Sequence, residues 1–164
     1  MADIYTETIV KRKPMPGGVA LQGVLAVAAI LAAMIGLYIN VSLLVVAAAA
    51  GVGWYLVRQN ADVEFEYIHT NGDLDIDKVI SNASRKRVMT VNLDHVEVVA
   101  PLESQELRRY NGSKARDFSA KNPQEPPYVM VYNQGGVKAL LLLQLDDKMV
   151  KSLKKWMPGK VFTE

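Results

Sequence analysis

The run from Pro14 to Val57, 44 residues long, contains no charged side chain. Val, Leu, Ile, Ala and Gly dominate it, a composition that a bilayer requires and a water-soluble domain of this size does not. As a single helix it would measure roughly 66 Å, about twice the ~30 Å hydrocarbon core of a membrane. Two shorter spans fit better. The natural break is Tyr38-Ile39-Asn40-Val41-Ser42, where Asn40 and Ser42 supply the only strongly polar side chains after Gln22. The expected spans are residues 19–39 and 41–57, within a transmembrane hairpin over 14–58. The second is short, so tilt or local thinning is expected. Trp54, Tyr55 and Arg58 close it as an interfacial belt with a charged stop, and Tyr38 marks the opposite interface. A cleaved signal peptide is the competing reading, and it fails on length, because its apolar core is only ~7–15 residues.

Orientation follows from the flanks. Lys11, Arg12 and Lys13 precede the first span, Arg58 follows the second, and the turn between them has no positive charge. The positive-inside rule then places a multi-pass protein in the cell membrane with both termini in the cytoplasm. Residues 1–13 read as a short cytosolic tail. Small residues recur in both spans, including Gly36 in the first and Gly51 and Gly53 in the second, and let helices approach closely. The preferred reading is packing of the hairpin on itself, and the sharper one is a face for a partner helix or a second copy. No ionisable residue lies within the spans, which leaves an ion or proton path without support.

The polar remainder, residues 59–164, is long enough for one small domain with its own core. From Arg58 onward it carries 16 Lys and Arg against 15 Asp and Glu, too even a balance for a nucleic-acid protein. The chain has no cysteine, which removes thiolate chemistry and cysteine metal sites. No cofactor and no small-molecule substrate is indicated.

Two alternating runs, from Asp62 to Thr70 and from Asp73 to Ile80, flank Asn71-Gly72, the signature of a hairpin with a two-residue turn. That register puts Val63, Phe65, Tyr67, His69, Leu74, Ile76 and Ile80 on a core face, with Lys78 as the exception. Glu64, Glu66, Asp73, Asp75 and Asp77 occupy the other. Glu66 then lies opposite Asp77, a destabilising pair unless a next strand brings Arg85 and Arg87 to that side. An acidic face of this kind can hold a divalent cation, but solvation or ion pairing is the commoner cause, and no metal is expected. After a loop over 81–84, apolar pieces at 88–91 and 95–99 are separated by a bend at 92–94. Residues 102–127 read as connection, with a helical turn at 106–110. Strands are expected at 128–132 and 137–145, and a closing helix from about Asp146, stopped by Pro158-Gly159.

Short antiparallel strands closed by one C-terminal helix give an α+β domain, a β-barrel or sandwich, whose order resembles the bacterial branch of the pleckstrin-homology (PH)-like fold. The resemblance rests on the hairpin from Glu66 to Ile76, on Ser84-Arg85-Lys86-Arg87, on Val91 to Val99, and on the last strand pair with its helix. It covers residues 59–160. The stretch Thr70 to Lys78 is also similar to a family of Gram-positive membrane proteins. What the resemblance implies is a binding module, and fold alone does not name the partner.

Two basic clusters are the candidate lipid- or partner-binding residues: Arg85, Lys86 and Arg87 on a strand, and Lys151, Lys154 and Lys155, beside Lys148, on the closing helix. Near an anionic membrane each exposed cation is worth roughly 1 kcal/mol. The plainer alternatives are pairing of the arginines with the acidic strands and packing of the helix over the barrel. Arg108, Arg109, Lys114 and Arg116 could form a further basic patch, for which a solvated loop is the plainer reading. His69 and His95, the only histidines, have no catalytic spacing around them, so no enzyme is expected. The expected role is docking of a protein partner at the cytoplasmic face, a homo-oligomer included, with sensing of anionic lipid headgroups as the alternative.

Overall fold

The computed structural model of the chain describes residues 5–14, 16–61, 63–80, 84–110 and 115–163. It divides into two compact units, one of Lys13–Val63 and one of Met1–Arg12 with Glu64–Glu164.

The first unit is a helix pair, α1 (Pro16–Tyr38) and α2 (Leu43–Ala61). The break falls where Asn40 was expected to make it. Its side-chain oxygen accepts from the backbone N–H of Ser42 at 3.0 Å and from the Ser42 hydroxyl at 2.6 Å, an Asx turn that starts a new helix. Gly36 allows the close approach there, since a Cβ at that position would lie 2.9 Å from the Leu44 side chain. Gly53 faces Leu25, whereas Gly51 faces open space, so only part of the small-residue pattern is used within the hairpin itself. Residues Gly17–Tyr38 are long and apolar enough to cross a membrane; the apolar part of α2, Leu43–Gln59, is shorter.

The second unit begins with a correction. Residues 5–11, expected as part of a tail, form strand β1 (Tyr5–Lys11). It pairs antiparallel with β2 (Val63–Thr70), from Tyr5 opposite Thr70 to Lys11 opposite Glu64. The domain is therefore not continuous over 59–164; the helix pair is inserted between its first two strands. The first sheet continues through β3 (Asp73–Ile80) and β4 (Ser84–Asn92) in the order β1-β2-β3-β4. Asn71 and Gly72 both have positive φ, as the two-residue turn demands.

A 3-10 turn at Leu93–His95, capped by the Asn92 side chain, leads into the second sheet. That sheet contains β5 (Val96–Pro101), β6 (Ala115–Asp117), β7 (Tyr128–Gln134) and β8 (Val137–Leu143), in the order β5-β7-β8-β6 with β6 parallel to β8. One face points into the core through Val99, Met130, Leu141 and Leu143. The other gathers Val98, Ala100, Val129 and Val131, and the 102–127 connection covers it with Leu107 and Tyr110, helped by Phe162. The expected helical turn is a 3-10 helix at Gln105–Tyr110. The expected loop positions 81–83 and Asn111-Gly112 lie outside the described residues, as does Lys114.

Helix α3 (Asp147–Trp156) closes the unit. Asp146 caps it, accepting from the Met149 N–H at 2.8 Å, an interaction worth about 1 kcal/mol. The same carboxylate accepts from Thr8 of β1 at 2.9 Å. Met149, Val150 and Leu153 are buried, at roughly 1.5–3 kcal/mol for each side chain fully removed from water. The apolar stripe thus packs on the sheets, as the plainer reading of this helix had it.

Candidate functional site

Strand alternation sorts the first sheet into two faces. Thr6, Thr8 and Val10 of β1 point inward, and Tyr5, Glu7, Ile9 and Lys11 point outward. Tyr67, His69, Leu74 and Ile76 are fully buried on the inner side. The outward side carries the acidic residues of β2 and β3, and there the structure holds a surprise in burial. Glu66 is 2% exposed and Asp77 4%, although both lie on the face away from the core.

A single irregularity explains how two carboxylates are buried there. Between Ile76 and Asp77 the pairing of β3 with β4 shifts by one residue: Ile76 stands opposite Met89, but Asp77 stands opposite Arg87. Val88 is the extra residue. Without the bulge, Arg85 and Arg87 would share a face with Met89 and Val91 and point inward. One added residue turns both arginines to the acidic side. There Arg85 binds Glu66 and reaches Asp77 at 3.7 Å, while Arg87 binds Asp77 at 3.2 Å and Asp75 at 3.0 Å. Lys86 falls on the other side, opposite Lys78. Three carboxylates thus take up part of the donor set of two guanidiniums, both of which stay more than half exposed.

The lysines of α3 are in the opposite condition. Lys148, Lys151, Lys154 and Lys155 are all exposed, and among the described residues none has an ion-pair partner. The structure does not bring the two predicted basic clusters together. α3 runs along the inner side of β1 and β2, from Thr8 at its cap to Gly72, where an added Cβ would lie 2.7 Å from the Trp156 ring. Arg85 and Arg87 sit near the other end of the sheet and on its outer side.

These observations describe two sheets around one core with a helix over the open end. Residues 2–163 match a family described as a bacterial PH-like domain (DUF6106). The chain belongs to this family. No curated protein and no solved structure matches it. A PH-like domain suggests a binding module, and its charged faces and aromatic clusters are the surfaces to compare.

Beneath α3 of the PH-like domain, the His69 Nδ1 lies 2.8 Å from the Ser152 hydroxyl and its ring meets Trp156 edge-on. Its Nε2 is buried with no partner, and burial lowers the pKa of the ring. His69 is a core residue, as its place in the alternation implied. Where β1 ends, Arg12 binds Asp117 at 3.1 Å and lies over the Phe65 ring. Burial alone would raise the Asp117 carboxyl. Hydrogen bonds from Ser119 and the charges of Arg12 and Lys121 outweigh that and hold it below the ordinary range. Of the suggested loop patch, Arg109 pairs with Glu106 and Arg116 reaches the Met89 sulfur, while Lys114 lies outside the described residues.

The sequence reading missed Tyr5, Glu7 and Ile9. Tyr5 and Ile9 are more than half exposed, and they edge the acidic face with apolar surface. The available signal was the alternation of Thr6, Thr8 and Val10 with Tyr5, Glu7 and Ile9, but it places threonines inward and apolar residues outward. Those inward threonines are used by α3: Thr6 donates to Ser152 at 3.0 Å and Thr8 to Asp146.

Proposed function

We propose that this chain is a membrane-anchored PH-like module that docks a protein partner at the cytoplasmic face of the membrane. One observation carries the anchoring: β1 and β2 are neighbours in one sheet, and the apolar helix pair lies between them in sequence. A chain that leaves at Lys11 and returns to pair at Glu64 crosses a bilayer an even number of times or not at all. The length and apolarity of α1 favour crossing, and α2 is then the return span. The basic residues Lys11, Arg12, Lys13 and Arg58 at its ends support the cytoplasmic assignment, and membership of the Gram-positive membrane branch is part of the same proposal.

The docking surface is the outer face of the first sheet, which is charged and rimmed by exposed Tyr5 and Ile9. Binding rather than catalysis is supported by the burial of His69 and its use in holding α3. Tethering raises the local concentration of a partner, so the contact itself can be weak. A photo-crosslinking side chain in place of Ile9, in cells, is expected to give one discrete protein adduct. A chain that crosslinks to nothing from that position contradicts docking there.

The second reading, sensing of anionic lipid headgroups, is favoured by the unpaired lysines of α3 and draws little from Arg85 and Arg87. It predicts that anionic vesicles bind the protein in a salt-dependent way, and that Lys151→Glu with Lys154→Glu abolishes this. Equal binding by wild type and variant contradicts it.

A further inference from the structure

The described part of the PH-like domain carries two faces of opposite sign. On the outer side of the first sheet six carboxylates (Glu7, Glu64, Glu66, Asp73, Asp75, Asp77) accompany three cations, Lys11, Arg85 and Arg87; Glu66 and Asp77 are buried beneath the arginines, which leaves Glu7 and Asp73 exposed and Glu64 and Asp75 partly so. On α3, four lysines stand in a row with no acidic residue among the residues from Lys148 to the end of the helix. The helix packs on the inward residues of the sheet whose outward residues make the acidic face. The two faces therefore look in opposite directions, and within one molecule they cannot meet.

We infer that the acidic outer sheet face of one copy receives the lysine face of α3 from a second copy. Each face repels itself and attracts the other, so the contact is head-to-tail rather than two-fold, and it propagates into short chains of molecules. The dimensions agree. Lys148, Lys151 and Lys155 spread over roughly 10 Å of helix, and Asp73 to Asp77 over roughly 13 Å of strand. Exposed Tyr5 and Ile9 offer apolar surface to the aliphatic stems of the lysines. Glu7 and Asp73, exposed and outside every described ion pair, are the carboxylates that the incoming lysines reach first. The inference rests on the docking reading and gives it one partner.

The test uses the full chain in nanodiscs of zwitterionic lipid, which removes anionic lipid as a competitor. Self-association is expected at low ionic strength, falling at least ~10-fold between ~0.05 and ~0.5 M salt. Cysteines placed one per chain at Asp73 and at Lys151 are expected to crosslink with each other when mixed, and not each with itself. Lys151→Glu, Lys154→Glu and Lys155→Glu together, or Glu7→Lys with Asp73→Lys, weaken association on the order of 100-fold. All five substitutions in one chain restore it, which a folding defect would not do. A monomer at low salt, association indifferent to these reversals, or a lysine variant that loses only binding to anionic vesicles overturns the inference. Because only this chain is present, such a result removes the second copy as partner and leaves the in-cell crosslinking test of docking standing.

Discussion

Helix α1 and strand β8 are built from much the same apolar residues, and they meet different surroundings. Leu141 and Leu143 of β8 are fully buried, and the far side of their sheet is covered by Leu107, Tyr110 and Phe162. On α1, Val24, Ile30, Leu31 and Leu37 are all more than half exposed, and the most apolar stretch of the helix is not buried at all. Where this chain places a continuous apolar run in its β unit, Leu107, Tyr110 and Phe162 cover it. On the described helices many large apolar side chains stay exposed. The uncovered stretch Gly17–Tyr38 is also the one long and apolar enough to cross a membrane.

The contrast can be broken most severely at a buried leucine. Leu141→Ala is expected to cost about 2–5 kcal/mol, read as the unfolding free energy of the full chain in detergent. Leu31→Ala, on the uncovered helix, should cost less than ~1 kcal/mol. Equal losses would mean that α1 is packed against protein after all. Gly72→Ala comes next, at about 2 kcal/mol, because φ is +97° and the new methyl group meets the Trp156 ring. A melting temperature equal to wild type would remove that packing from the account.

Arg85→Ala probes the charged side of the comparison. It leaves Glu66 and Asp77 buried beside each other with one cation fewer, and the expected loss is about 1–2 kcal/mol, discounted because Arg85 is itself half exposed. Arg85→Lys should recover only part, since Lys lacks the fork that spans two carboxylates. A loss indistinguishable from zero would make the network a surface ornament. The smallest effect is on pH dependence. Burial lowers the pKa of His69, so as pH falls the unfolded chain takes the proton first. Stability is full above ~6.5 and declines below it, with a slope of at most ~1.4 kcal/mol per pH unit, until the lowered folded value is reached. His69→Gln should flatten that slope whatever its own stability, followed through Trp156 emission in a Trp54→Phe background. An unchanged slope would assign it to other groups.

The legible parts of this fold were those whose signal is local. Asn71-Gly72 readily adopts the positive φ that a two-residue turn demands, Asp146 begins a helix through its own side chain, and Asn40 marks the break between two helices in the same way. β1 was illegible because its partner residues lie 53 to 65 positions on and because Thr6 and Thr8, not Tyr5 and Ile9, face inward toward α3. The bulge at Val88 carries no mark in the sequence either. The acidic strands did signal a need for cations on their side, and Arg85 and Arg87 were the nearest supply, so the pairing could be expected while the means of achieving it could not. The apolar strands β7 and β8 lack alternation because Leu107, Tyr110 and Phe162, distant or weakly patterned in sequence, cover the far side of their sheet.

The central claim is that α1 and α2 cross the membrane and return to the same sheet. The chain has no cysteine, so single cysteines at Asn40 and at Ser84 report cleanly. With a membrane-impermeant maleimide on intact cells, the account predicts that Asn40→Cys is labelled and Ser84→Cys is protected until the cells are opened. Protection of both, or labelling of both, would contradict it, because the turn of the helix pair and the PH-like domain would then lie on one side of the bilayer.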